Sequence, residues 1–274
     1  MKWRHKILIF SLALLTAGCA NYFNETGYSV REIKKNNISI NFLDVGQGDS
    51  ILVNNKMLID CGGNDKGDNV VKYLKEKNIS KLDYLVITHT DADHIGGCDY
   101  VLDNIAVKKV MMDGQIRDTK SYLDVIKRID DEEKIIPKEN ERFGFDDIEF
   151  KVLSSNIGSE DPNQNSIVLR MDYGKFSALF TGDCDRECES RLLNKDIDVD
   201  VLKVAHHCSR YGTGKEFLDM VTPKIGIIEV GENNYGHPTD ECLSNLKDNN
   251  VEIYRTDLEG NITLITNGIG FKIE

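Results

Sequence analysis

Apolar positions along this chain recur with two periods. Short runs rich in Ile, Leu, Val and Phe predict strands at 38–43, 50–53 and 57–60, with Asn54-Asn55 as a hairpin turn. A helical period follows over 68–77, where Val70, Val71 and Leu74 share a face. A hydrophobic strand at 82–88, a helix at 99–105, a strand at 108–112 and a helix at 119–129 complete the first half. The second half repeats this logic: strands at 148–153, 166–172 and 176–181, helix 184–193, strand 199–205, helix 215–221, strand 225–230 and helix 239–249. Closing strands are predicted at 252–254, 261–265 and 270–273. This order fits an α/β fold, a four-layer αββα sandwich with two sheets face to face and helices outside. Four prolines and no low-complexity linker make 38–274 a single domain.

The chemistry concentrates where strand 82–88 ends. His89-Thr90-Asp91-Ala92-Asp93-His94-Ile95-Gly96-Gly97 places four metal-ligating side chains within six residues. Imidazole nitrogen and carboxylate oxygen suit Zn²⁺, Mn²⁺ or Fe²⁺. A buried strand feeding such a loop is how a metal site is delivered to a sheet edge; the bland alternative is a solvated polar loop.

The segment resembles the H-x-[HD]-x-D-H signature of the metallo-β-lactamase superfamily. Phe42-Leu43-Asp44-Val45-Gly46-Gln47-Gly48-Asp49-Ser50, Leu58-Ile59-Asp60-Cys61-Gly62-Gly63, Thr181-Gly182-Asp183, Ala205-His206-His207-Cys208-Ser209 and Asn234-Tyr235-Gly236-His237-Pro238 are similar, in order, to motifs of its ComEC-type branch. That branch includes hydrolase domains of DNA-uptake proteins and a phosphorylcholine esterase. The resemblance implies the αββα fold and two divalent cations, zinc foremost and manganese as the alternative.

Residue roles follow from the resemblance and from loop geometry. A loop alternating in direction points His89 and Asp91 at one metal and Asp93 and His94 at the second, with Asp183 bridging. Asp183 has a competing role as N-cap of the helix predicted at 184. Adjacent side chains at a strand end point to opposite faces, so one of His206 and His207 is a ligand; His207 is favoured, leaving His206 catalytic or structural. His237 either ligates the second metal or donates a proton to the leaving group, and Asp93 doubles as the group orienting the attacking water. Asn165 stands where many superfamily members place a histidine ligand, making His207 its replacement. Asp44 and Asp49 are read as structural beneath the site, and Asp60 as orienting a ligand histidine.

The N-terminus places Lys2, Arg4 and Lys6 before an apolar run at 7–15, the pattern of a secretory signal too short to span a bilayer. Leu15-Thr16-Ala17-Gly18-Cys19 resembles a bacterial lipobox. Residues 1–18 are therefore expected to be a lipoprotein signal, Cys19 to carry lipid, and 19–37 to be a polar tether to the membrane. Six further cysteines are compatible with disulfides in an oxidising compartment, with unreadable connectivity, or with buried reduced thiols.

A net charge of −12 disfavours polyanionic partners and excludes a basic nucleic-acid footprint over the whole surface. Phosphate binding then calls on local basic residues such as Arg210, Lys215 or Arg170. No dinucleotide fingerprint or nucleophile elbow is present. The expected function is dinuclear metal-dependent hydrolysis of a small phosphoester by an extracytoplasmic, lipid-anchored enzyme, with no protein partner implied. Asp91 and the oxygen-rich ligand set favour phosphoester substrates. Two alternatives stand beside it: a nuclease acting on extracellular DNA, and a non-catalytic surface binding protein.

Overall fold

The apolar runs pair into two large sheets in a computed structural model that describes residues 36–155 and 158–274. The signal segment, Cys19 and the tether up to residue 35 lie outside the described residues. In spatial order the first sheet holds Phe271–Ile273, Ile262–Thr266, Ile38–Phe42, Ile51–Val53, Met57–Ile59, Tyr84–Ile87, Val110–Met112 and Lys134–Ile135. The second holds Glu252–Arg255, Ile225–Ile228, Val201–Lys203, Phe176–Phe180, Val168–Tyr173, Ile148–Ser154 and Arg142–Phe145. Each sheet is part antiparallel and part parallel. The parallel parts run from Met57–Ile59 to Lys134–Ile135 in the first sheet and from Phe176–Phe180 to Glu252–Arg255 in the second. Parallel strands bring their C-terminal ends to one edge, where open α/β sheets place their ligands.

Strand alternation sorts side chains into three apolar layers. Val86, Ala178, Phe180 and Val201 point between the sheets, where they meet Ile40, Phe42, Phe150 and Ile227. Their neighbours Leu85 and Ile87 point outward to Val70, Leu74, Val101, Tyr122 and Val125 of three helices. Leu179 and Leu202 point the other way, to Leu192, Phe217, Leu218 and Leu246. Helix, sheet, sheet and helix are the four layers expected from the sequence. None of the helices among the described residues is long and apolar enough to cross a membrane.

Three helices begin where a side chain caps them. Thr119, Asp185 and Thr239 accept from the backbone N–H of Tyr122, Cys188 and Cys242. The helix Arg186–Leu192 is thus capped by Asp185, and the competing capping role for Asp183 falls away.

The structure departs from the sequence pattern in three places. The run 82–88 divides: Lys81–Leu82 pairs with Ala106–Val107 in a small separate sheet, because the Asp83 and Tyr84 N–H groups both donate to the Lys56 carbonyl and turn the chain. The short edge strands Lys134–Ile135 and Arg142–Phe145 have no clear apolar period. The closing strands separate, Glu252–Arg255 joining the second sheet while Ile262–Thr266 crosses to pair antiparallel with Ile38–Phe42.

All six cysteines of the described residues form disulfides: Cys61–Cys98, Cys184–Cys188 and Cys208–Cys242. This resolves the open choice between bridges and reduced thiols.

Candidate metal centre

The site is assembled from the C-terminal ends of strands in both sheets. Tyr84–Ile87 leads into Thr88 and His89, and Asp91 then opens a one-turn helix, Ala92–Ile95, that carries Asp93 and His94. The expected alternating loop is therefore a helical turn, and Asp93 and His94 project from its start. From the second sheet, Phe176–Phe180 delivers Asp183 through Gly182, whose φ of +51° admits the reversal. Val201–Lys203 delivers His206 and His207.

The two histidines are not at an extended strand end, so face alternation does not separate them. They lie in a tight turn in which His206, His207 and Cys208 all have left-handed φ, at 50°, 50° and 62°. Three consecutive non-glycine residues in that region store strain, of order 1–3 kcal/mol each. The turn is held by the Cys208–Cys242 bridge and by the Thr239 N–H and hydroxyl, both donating to the Cys208 carbonyl at 2.9 and 3.1 Å. His207 is turned inward and is 1% exposed, whereas His206 lies partly open on the cavity wall.

Asp93, His94, Asp183 and His207 each offer one ligand atom, and these atoms lie within 4.8 Å of one another. His94 Nε2 is 3.2 Å from Asp183 Oδ1, and His207 Nε2 is 3.4 Å from Asp183 Oδ2 and 3.3 Å from Asp93 Oδ2. Asp183 thus reaches both histidines with different oxygens, the arrangement expected of a bridging carboxylate. His89 and Asp91 adjoin this group: the His89 and His94 ring centroids are 4.1 Å apart, and His89 Nε2 is 3.7 Å from Asp91 Oδ2. His237 stands outside the four-residue group. Its ring is 5.4 Å from that of His206 and 6.3 Å from that of His207, on the wall of a cavity of about 120 Å³ that Gln47, Asp91, His206 and Tyr235 also line.

The donor atoms face a common space with their other valences used. Nδ1 of His94 meets Asp60 Oδ2 at 2.9 Å, Nδ1 of His207 donates to the Glu229 carbonyl at 2.8 Å, and Nδ1 of His89 is 3.1 Å from the Thr88 hydroxyl. The Nε2 atoms of His89, His94 and His207 and Oδ1 of Asp183 are buried without a hydrogen-bond partner. Buried polar atoms are rarely left so, and an orphaned set of imidazole nitrogens and carboxylate oxygen facing one another fits a divalent cation.

Electrostatics point the same way. Burial alone would lower His207, but the Asp183, Asp93 and Asp49 carboxylates outweigh it and lift its pKa to about 10. Burial likewise opposes protonation of His94, yet Asp183, Asp49 and Asp60 raise it well above the ordinary range. Burial, reinforced by the neighbouring His94, pushes His89 down to about 3. Surplus buried negative charge holds protons on two imidazoles when no other cation neutralises it.

A buried ionic layer lies underneath, where Asp49 was expected and its partners Lys203 and Glu229 were not. Lys203 Nζ is 2.5 Å from Asp49 Oδ2, Asp49 Oδ1 is 3.4 Å from His207 Nδ1, and Glu229 Oε1 accepts from the Ser50 N–H at 2.9 Å. The available signal was a charged residue inside an otherwise apolar strand run, Val201-Leu202-Lys203-Val204 and Ile227-Ile228-Glu229-Val230. Asn165 is no ligand: its side-chain amide is spent on the backbone of Ser159 and Asp161. Arg170 and Lys215 are also committed, to Asp172 and Asp196 and to Asp219 respectively, and do not serve the site.

A family model described as the metallo-beta-lactamase superfamily matches residues 43–231. The chain belongs to this superfamily. Among its relatives in that superfamily, ComE operon protein 3 of Bacillus subtilis is 34% identical over 254 residues, covering 81% of this chain and 32% of that protein. Competence protein ComA of Neisseria gonorrhoeae is 29% identical, covering 90% of this chain and 34% of that protein. These are competence proteins of the ComEC type, and the chain spans about a third of their length. Among solved structures, the metallo-beta-lactamase fold protein YhfI from Bacillus subtilis aligns with a TM-score of 0.56 at 10% identity, covering 84% of this chain and all of that one. CmlA, a diiron beta-hydroxylase from Streptomyces venezuelae, aligns with a TM-score of 0.55 at 13% identity over 83% of this chain and 54% of its own. Both likenesses speak for the fold alone. The chain thus combines the metallo-β-lactamase fold of metal-dependent hydrolases with a candidate metal site.

Proposed function

We propose that this protein is a phosphoester hydrolase working with two divalent cations, zinc foremost and manganese as the alternative. The observation that carries this reading is the set of buried, unpartnered Nε2 atoms of His94 and His207 beside Asp183, with the equally unpartnered Nε2 of His89 next to Asp91. His89 and Asp91 would hold one cation and Asp93, His94 and His207 the other, with Asp183 between them and His237 within reach of the outer side. Bound there, the cations would supply Lewis acidity toward the bond to be cleaved and toward water. The chain's own groups do the rest. Asp93, held against His207, is placed to orient water, and the imidazoles of His206 and His237 line the cavity, where they are able to carry a proton to a leaving group. The carboxylate-rich ligand set favours harder ions and phosphoryl oxygens.

The same proposal places the enzyme outside the cytoplasm, tethered through lipid on Cys19. The basic and apolar N-terminal segments and the small residues before Cys19 support it.

Elemental analysis of the purified protein and turnover of bis-p-nitrophenyl phosphate test the reading. Near two metals per chain and activity lost in Asp93→Ala are expected; a metal-free protein, or a metal-loaded one inert on every phosphoester tried, overturns it. A nuclease is the second reading, favoured by the likeness to ComE operon protein 3 and competence protein ComA. The net charge of −12 opposes it. Digestion of plasmid and single-stranded DNA at the rate of small phosphoesters would replace the first reading with the second.

A further inference from the structure

Among the described residues, Gln47 is the one side-chain amide on the wall of the metal cavity, beside Asp93, Asp183, His206 and His207. Its side-chain Oε1 and Nε2 are both buried and neither has a hydrogen-bond partner. The backbone that carries it is clamped. Gly48 has φ +135°, and a Cβ there would lie 2.3 Å from the Asp93 carbonyl oxygen, which also accepts from the Asp49 N–H at 3.2 Å. On the other side Gly231 packs so closely that its Cβ would lie 2.4 Å from the Gly46 carbonyl carbon and 2.6 Å from the Gln47 nitrogen. Only glycine admits such approaches, so the turn is locked between the Asp93 helix and the loop after Ile225–Ile228. The backbone is thereby fixed, and the side-chain amide it carries stands at the cavity wall with its hydrogen-bonding capacity unspent.

An unsatisfied amide on a fixed backbone in a binding cavity is a recognition element, because it discriminates sharply between ligands that complete its bonds and ligands that do not. Carboxamides are weak ligands for zinc beside imidazole and carboxylate, so the partner is sought on the substrate. We propose that Gln47 is a substrate-binding residue whose Nε2 donates to a non-bridging phosphoryl oxygen. Oε1 remains to accept from a hydroxyl or N–H of the same substrate. This rests on the phosphoester reading above.

Metal-loaded wild type, Gln47→Ala and Gln47→Glu are compared for bis-p-nitrophenyl phosphate kinetics, inhibition by inorganic phosphate, metal content and thermal midpoint. Gln47→Ala is expected to keep its metals and midpoint while KM and the phosphate inhibition constant rise together by about tenfold or more, the worth of one hydrogen bond to a charged group. Gln47→Glu, which sets a carboxylate against the anion, should weaken both further, with kcat changing less than KM. Wild-type KM and phosphate inhibition in Gln47→Ala would overturn the assignment alone. So would metal loss or a lowered midpoint in that variant, which would mark a structural residue. A wild type that neither cleaves the ester nor responds to phosphate overturns the phosphoester reading and this inference together.

Discussion

Asp60 Oδ2 accepts from Nδ1 of His94 at 2.9 Å, and the same carboxylate accepts the Thr88 N–H at 2.8 Å and the Thr88 hydroxyl at 2.6 Å. Asp60 is itself held in the left-handed region, at φ 56°, by its N–H bond to the Val86 carbonyl. The strand end that leads to His89 thus also fixes the acceptor that aims His94, leaving Nε2 free toward Asp183. Removing such a partner typically costs 10–100-fold in metal affinity. Asp60→Ala is expected to weaken zinc binding by about that factor, read by competition with a chromophoric chelator, and an affinity equal to wild type would sink the relationship.

Metal uptake should release protons. His207 sits at about 10 and His94 well above the ordinary imidazole range, so the metal-free site carries protons on both at pH 7. A cation must displace them, and apparent affinity therefore rises as pH rises toward 10. Titration calorimetry in buffers of different ionisation enthalpy should show about two protons released near neutrality. For the metal-free chain the sign is opposite. These raised pKa values contribute stability that is complete below about 6.5 and is lost as pH climbs through the folded-state values. Chelated protein should thus melt lower at pH 9.5 than at pH 6.5.

Each disulfide abuts a site residue: Cys61 follows Asp60, Cys184 follows Asp183 and Cys208 follows His207. Loop-closure entropy assigns about 4 kcal/mol to Cys61–Cys98 and Cys208–Cys242 and about 2 kcal/mol to the short Cys184–Cys188 loop. Replacing Cys208 and Cys242 by Ala should lower stability by roughly that amount. It should also weaken metal binding, because the strained His206-His207-Cys208 turn loses a restraint. Denaturant melts and chelator competition check the two effects separately.

Lys203 and Asp49 form a buried ion pair beneath the histidines. Breaking one side of such a pair costs about 3–5 kcal/mol, since an uncompensated charge is left behind. Lys203→Met is expected to show that loss in urea melts, and Asp49→Asn in the same chain to recover part of it. Additive losses in the double variant would show that the two residues do not act as a pair.

The element order, the αββα class and the candidates for metal ligation were legible because each rests on local pattern. Period-2 and helical runs mark strands and helices. His89 to His94, Asp183 and the His206-His207 pair stand out as polar residues directly after apolar strands. The shift of Asp93 and His94 onto a helical turn was not legible, since four residues are too few to show a period.

Lys203 and Glu229 show the limit more plainly. Their burial depends on what the opposite sheet places against them, and one strand read alone cannot reveal it. The disulfide pairing and the separation of the last strands are of the same kind. Ile262–Thr266 crosses to Ile38–Phe42 across more than two hundred residues because that edge of the first sheet offers unpaired backbone groups. The sequence by itself determined the long strand and helix segments and the candidate residues for the chemistry, through local periodicity and side-chain type. Only the tertiary structure decided which nitrogen of each histidine faces the centre and which charges lie beneath it. Those outcomes come from long-range packing and from the hydrogen bonds that buried polar atoms must find.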